Sequence, residues 1–548
     1  MNLVLKNGKY LDTQKKEFVS GDIYIKDGLI VDKIDGDYEE IDVSGKYIVP
    51  GFIDGHIHLE SSIIKPEDFA KMVCFHGTTA LVTDPHEIAN VCGINGIRWM
   101  MEQTKNLPID VYFVVSSCVP ATPFDESAYT ISSEEIKKIF DWKDKRILGL
   151  AEVMNYPGVI NNDPEVMKKI KYASEYGLVI DGHAPGLTGD GLRKYIEAGI
   201  MSDHECSTLS EAMEKLDVAE ELSKKFYIMI REGTAAKNLA ALSELMNNPK
   251  YYDKVMFATD DKHPEEINNE GHIDNIIRKA IALGIKPEIA YTVASYNASK
   301  YFGLNQIGSL EIGKEASMVI LDDIYDCKIS SVIKKGIILN EEIVSNYKND
   351  VNNELDKLVR DSIHMKEISL ADINISSAPV IELVPHEIIT RYAGISNKID
   401  VQNDIIKIVV IEPHKNTNHI GVAYLKGLGL KKGAIGTTVA HDSHYMILAG
   451  TNDDDIVMAA NEIIKMHGGK IVCKDGKIVK EMPLPIANLM TDDDYNTVIN
   501  NMRELKESVS VNEGIDPFMN LSFVSLAVIP DIRLLPGGVF DVNKWKFM

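Results

Sequence analysis

Cysteine is scarce: six residues in 548, at positions 74, 92, 118, 206, 327 and 473, with no C-x-x-C pair. That density excludes a disulfide-stapled secreted scaffold. Long apolar runs are missing as well, and none reaches the ~18 residues a membrane span needs. The N-terminal Met1-Asn-Leu-Val-Leu-Lys-Asn-Gly8 has no charged segment leading into an apolar one, so no signal peptide is expected and the expected compartment is the cytoplasm. Positive charge is in short supply: 58 Lys and Arg stand against 82 Asp and Glu, a net charge of −24. Such a surface repels phosphate backbones, which argues against a nucleic-acid partner and leaves small neutral or cationic molecules open. Fixed-period repeats and low-complexity tracts are also missing.

What is present suits a multi-domain globular protein. Hydrophobic residues make up 45% and the mean hydropathy is −0.09, enough for several cores. The length suggests roughly three or four units, and a single (β/α)₈ barrel of about 250 residues would leave half the chain over.

The first fifty residues read as short strands with turn dipeptides at Asn7-Gly8 and Asp27-Gly28, hence a small antiparallel sheet. From Pro50-Gly51 to about residue 304, eight apolar runs alternate with helical patterns. They are Gly51–His58, Thr79–Thr83, Val111–Ser116, Ile147–Val153, Leu178–His183, Ile200–His204, Tyr227–Arg231 and Val255–Thr259. A spacing of ~30 residues suits βα units, and eight of them suggest a closed TIM barrel. Short strands after Ile307 are expected to rejoin the N-terminal ones. The expected fold class is therefore α/β: a barrel over 51–304, a small composite β-sandwich from 1–50 plus 305–370, and a C-terminal α+β domain over 375–548. In that last region Ile456, Ala460, Ile463 and His467 share one helical face, and Asp475-Gly476 marks a hairpin.

The sharpest chemical feature is Asp54-Gly-His56-Ile-His58. Residues i and i+2 of a strand share a face, so both imidazoles can reach one metal ion. Alone this is weak, but Glu152, His183, His204 and Asp260 each stand near the C-terminal end of another expected strand. Those ends converge at a barrel's mouth, where four His and two carboxylates could hold two divalent ions.

Pro50-Gly-Phe-Ile-Asp-Gly-His-Ile-His58 resembles the first-strand signature of the amidohydrolase superfamily. Several segments are similar to the bacterial adenine deaminases: Glu152 in Ala151-Glu-Val-Met-Asn-Tyr-Pro157, where many relatives carry a bridging carboxylated lysine; Leu59-Glu60-Ser61-Ser62; Thr83-Asp-Pro-His-Glu-Ile-Ala89; Asp181-Gly-His-Ala-Pro-Gly186; and Val439-Ala-His-Asp-Ser-His444. The resemblance implies hydrolytic deamination of adenine to hypoxanthine and ammonia by a metal-activated hydroxide, in purine salvage. It implies His56, His58 and Asp260 on one ion, His183 and His204 on the other, and Glu152 bridging. It favours Mn²⁺ or Fe²⁺ over Zn²⁺ and suggests a homodimer or larger. Asp260 and Glu152 are the expected catalytic carboxylates: a carboxylate beside a metal-bound water can take its proton and deliver it onward, so Asp260 is the candidate shuttle, or a pure metal ligand, or both. The alternatives are a cyclic-amide hydrolase of the dihydroorotase or hydantoinase kind, which the absence of the lysine disfavours, and an inactive scaffold, which six intact ligands disfavour.

Other residues stay open between roles. Glu60, Asp84, His86 and the neighbouring Glu87 would bind substrate or a further metal, or stabilise loops. Asp261 and His263 would support the ligands or only their loop. His441, Asp442 and His444 would close over the mouth or form a turn cluster; their local spacing lacks the nucleophile elbow of a Ser hydrolase. Cys206 is expected to pack. Gly427, Gly429 and Gly433 miss the dinucleotide spacing, and the zinc signature of cytidine-type deaminases is absent.

Overall fold

The computed structural model describes residues 2–234, 236–349 and 352–548. All eight expected central runs are strands: Phe52–Ile57, Thr78–Thr83, Asp110–Val115, Ile147–Val153, Val179–Gly182, Ser202–Asp203, Tyr227–Arg231 and Val255–Ala258. Every residue of the first two is buried, as expected for parallel strands covered on both faces. The first five strands form one parallel sheet in chain order and the last three a second. Hydrogen bonds cross both gaps between the sheets. Met201 N–H donates to Ile180 O (2.8 Å) between the fifth and sixth strands. Asp260 N–H donates to His56 O (2.9 Å), and His58 N–H to Asp260 O (3.0 Å), between the eighth and the first. Gly182 permits the first of these approaches, because a Cβ there would lie 2.2 Å from Ser202 O.

One buried polar pair ties the two sheets together, as burial favours. Asp54 accepts from Thr259 N–H (3.1 Å) and Thr259 Oγ1 (2.5 Å), joining the first strand to the residue after the eighth.

Both flanks of the central region build one sheet. Its order is Ile337–Ile338, Lys328–Lys334, Met318–Asp323, Tyr47–Pro50, Asn2–Asp12, Glu17–Lys26 and Leu29–Val31, with Glu39–Asp42 branching from Asn2–Asp12. Two expectations change here. The small β unit is a single hydrogen-bonded sheet rather than a two-sheet sandwich. Asn7-Gly8 is not a hairpin turn but a bulge inside one eleven-residue strand, with Asn7 at φ 64°. The extra residue bends that strand, so that its first half pairs with Glu39–Asp42 and its second with Tyr47–Pro50. Asp27-Gly28 is a turn as expected, with φ of 50° and 79°.

The C-terminal region centres on an eight-stranded sheet with the helix Asp453–Lys465 packed on it. Ile456, Ala460 and Ile463 face its core. The helix stops before His467, which adopts φ 57° and lies outside the apolar face expected to include it. This region touches the central one directly: Thr491 N–H donates to Ile63 O (3.0 Å), and Glu126 N–H to Tyr445 Oη (2.6 Å).

One buried cation fixes the ends of the fifth and sixth strands. Lys215, fully buried in the helix Leu209–Glu221, donates to Ala184 O (2.7 Å), Glu211 Oε1 (2.7 Å) and Asp203 Oδ2. Asp203 in turn accepts from Ala184 N–H (3.2 Å) and Glu205 N–H (3.0 Å). Removing one member of a buried ion pair costs about 3–5 kcal/mol, because the other stays behind uncompensated. Lys215→Met should therefore lower stability by about 3 kcal/mol in denaturant unfolding, and an unchanged midpoint would contradict this role.

Candidate metal centre

The ends of the first, fourth, fifth and sixth strands, and the turn after the eighth, deliver His56, His58, Glu152, His183, His204 and Asp260 to one place. Glu152 stands at the centre. Its Oε1 lies 3.9 Å from His56 Nε2, 3.4 Å from His58 Nε2 and 3.4 Å from His86 Nδ1. Its Oε2 lies 2.9 Å from His183 Nδ1 and 3.1 Å from His204 Nε2. Asp260 Oδ1 approaches the other side, 3.7 Å from His56 Nε2 and 3.2 Å from His58 Nε2.

Two backbone facts aim these groups. Asp260 adopts left-handed φ (61°), uncommon for a residue with a Cβ, and is pinned by the hydrogen bonds on both sides of it. His58 Nδ1–H donates to Asp84 O (3.0 Å), which turns Nε2 toward Glu152 and Asp260.

The cluster fits divalent cations. His56, His58 and Asp260 bring ligand atoms within 4.8 Å of one another, and so do His56, Glu152 and His204. Both ring nitrogens of His56 are buried without a hydrogen-bond partner, an arrangement that coordination would satisfy. In this geometry protons carry the missing positive charge. Burial opposes charging His204, yet Glu152 and Glu205 push it up to about 10. Nitrogen and oxygen donors without thiolate suit several first-row cations.

Residues not singled out from the sequence complete the centre. Arg231, at the end of the seventh strand, is buried and donates to Glu205 Oε1 (2.7 Å) and to Asp260 Oδ2. Burial favours the neutral form of Asp260, but the Arg231 guanidinium and His58 outweigh it and hold the carboxyl well below the usual carboxylate range. Glu205 lies 3.5 Å from His183 Nδ1 and 3.3 Å from His204 Nε2. The signal for both was their place: charged residues at strand C-termini, like the ligands themselves.

Of the other candidates, Asp84 and His86 join His58 and Glu152 in one close group, and the rest lie just outside. His86 Nδ1 is 3.0 Å from Asp84 Oδ2, and its Nε2 is 3.3 Å from Asp442 Oδ1. His441 Nδ1 (3.0 Å) and His444 Nε2 both reach Glu87, and Asp442 N–H donates to it (3.1 Å). The loop 441–444 therefore does sit on the mouth. Asp261 accepts from Ser61 Oγ. Glu60 accepts from Ile88 N–H (3.0 Å) through one oxygen and has no partner for the other. Burial pushes its carboxyl up to about 7. Glu60, Glu87, His263, His441 and His444 line a cleft of about 530 Å³, open mouth included, whose far wall is C-terminal: Val439, Lys470, Leu489, Met502 and Phe518. Cys206 is buried, with only a weak contact to Asp203.

Comparison with known proteins separates the two halves of this site. Residues 47–339 match the amidohydrolase family, and residues 386–546 match the adenine deaminase C-terminal domain. The chain is 40% identical to the adenine deaminase of Clostridium acetobutylicum over 100% of this chain and 97% of that one. It is 39% identical to that of Halalkalibacterium halodurans over 100% and 95%. This chain belongs to the adenine deaminase family, within the amidohydrolases. Among solved structures, a dihydropyrimidinase from Brevibacillus agri aligns with 62% of the chain and 95% of its own, at 16% identity and a TM-score of 0.47. Membership extends over both halves, so the His441–His444 loop belongs to a domain shared within the family.

A ligand that binds only the folded state stabilises it. Mn²⁺ added to chelator-treated protein should raise the melting temperature by several degrees, and Glu152→Ala should abolish the shift. A wild-type melting curve indifferent to divalent cations would exclude the metal centre.

Proposed function

We infer that this protein converts adenine and water to hypoxanthine and ammonia, in purine salvage. The observation that carries this is the full-length match to adenine deaminases, barrel and C-terminal domain together.

The geometry suits that chemistry. We take the two parallel sheets as one closed (β/α)₈ barrel over 51–304, supported by the hydrogen bonds across both gaps. We assign 1–50 with 305–370 to the composite β unit and 375–548 to the C-terminal α+β domain. Two divalent cations would be held by His56, His58 and Asp260 on one side and His183 and His204 on the other, with Glu152 between. The two separately directed oxygens of Glu152 support this division. We favour Mn²⁺ or Fe²⁺, and the donor set also accommodates Zn²⁺. When bound, such ions lower the pKa of a water toward neutrality.

The chain's own groups handle the protons. Of the two protons of the attacking water, one ends on the departing amine and one on ring N1, while the oxygen ends on C6. Asp260 faces the ligand cluster and is held ionised by Arg231, so it can take a proton there and pass it to the amine. Glu60, protonated near neutral pH by burial and with a free oxygen beside the cleft, can supply N1 and regain a proton afterwards. The His441–His444 loop and Glu87 wall the mouth and keep bulk water from the reacting ring. Six buried free thiols suit the cytoplasm, and no helix among the described residues is long and apolar enough to cross a membrane. A homodimer or larger assembly is expected.

The test is ammonia release from adenine, adenosine, cytosine and hydantoin by Mn²⁺-loaded protein. Adenine should be the substrate turned over; turnover of hydantoin with none of adenine would overturn this reading. Glu60→Gln should lower kcat/KM for adenine by about 10²-fold or more, the usual scale of lost general acid catalysis. Full activity in that variant would remove Glu60 from the proton path.

A further inference from the structure

Five lysines are buried: Lys215, Lys262, Lys334, Lys407 and Lys470. Four of them have an acceptor. Lys215 meets Asp203 and Glu211, Lys334 meets Glu315 (2.8 Å), Lys407 meets Asp453 (2.7 Å), and Lys262 donates to Glu232 O (3.2 Å). Lys470 is the exception: among the described residues its ammonium has no hydrogen-bond acceptor and no carboxylate partner. It is 4% exposed, on the strand Gly469–Lys474, and lines the cleft 5.7 Å from the centre of the Phe518 ring.

The nearby acid is already engaged. Asp516 accepts from Phe518 N–H (3.0 Å) and Met519 N–H (2.9 Å), and pairs with Lys506 (2.9 Å). Burial, with Lys506 close by, brings the Lys470 ammonium down to about 8. The side chain lines the cleft, and an ammonium there without an acceptor is a donor that a ligand in the cleft could satisfy. The apolar part of the wall includes Ile63, Val439, Leu489 and Met502, which suit the faces of a planar ring.

The ligand cluster fixes which way a purine must enter. Its reacting carbon, C6, has to lie toward Glu152 and Asp260. A purine so oriented and seated in the cleft would turn its opposite edge, N3 and N9, toward the C-terminal wall that holds Lys470. We propose that Lys470 donates a hydrogen bond to N3 of the bound base, so that the C-terminal domain reads the edge of adenine remote from the reaction. This rests on adenine being the substrate.

The experiment compares adenine, 3-deazaadenine (a C–H in place of N3) and 7-deazaadenine on the wild type and on Lys470→Met. Losing a hydrogen bond to a charged group should cost Lys470→Met about tenfold or more in kcat/KM for adenine, carried mainly by KM. The variant should then distinguish adenine from 3-deazaadenine far less than the wild type does, and its penalty on 7-deazaadenine should match that on adenine. Lys470→Gln, which keeps a donor, should recover part of the loss and guards against a folding defect. Independent, multiplying losses for Lys470→Met and 3-deazaadenine, or coupling to 7-deazaadenine instead, would overturn the proposal. A wild type that releases no ammonia from adenine would overturn the substrate reading itself.

Discussion

Glu152 places one buried carboxylate among five imidazoles, at the C-terminal ends of the parallel strands. Its two oxygens divide the histidines into two groups, His56, His58 and His86 against His183 and His204. A buried carboxylate is stable only beside positive charge, and buried imidazoles only with partners for both nitrogens. The arrangement therefore makes sense as a receptacle for cations. Much of the surrounding structure answers the same need: Arg231 balances Asp260 and Glu205, and Lys215 with Asp203 braces the strand ends that carry His183 and His204.

The strand ends supply reactive groups but only part of an enclosure. The rest comes from several hundred residues later in the chain, where His441 and His444 clasp Glu87 and His441 stacks on Phe523 with ring centres 4.3 Å apart. This separates two tasks. Strand ends, rigid and hydrogen-bonded on both sides, hold the charged cluster. A second domain walls the cleft beside that cluster.

Much of this was legible in the sequence, for identifiable reasons. Parallel strands buried on both faces read as continuous apolar runs, so all eight stood out, and the period of two put His56 and His58 on one face. Polar residues closing such runs marked the mouth. What failed to read were relations rather than elements. Asn7-Gly8 has turn chemistry, but a dipeptide does not reveal whether the chain reverses there or merely bulges. Glu205 and Arg231 stand at strand ends as the ligands do, but only the fold shows them bracing the ligands. The partner of His441 lies 354 residues away, and no local pattern points to Glu87. The contact between Lys470 and the cleft is equally non-local.

The composite sheet has a consequence for how the chain is made. Tyr47–Pro50 pairs with Met318–Asp323, so an early strand waits for a partner translated some 270 residues afterwards. At ribosomal rates of about 5–20 residues per second, that wait is roughly 15–50 s. Throughout it, the apolar face formed by Leu3, Leu5, Ile23, Ile25 and Ile48 lacks Met318, Ile320 and Ile333, which cover it in the finished protein. The central α/β region thus emerges entirely between the two halves of its own platform, and until Met318–Asp323 is made the early strands lack the residues that complete their core.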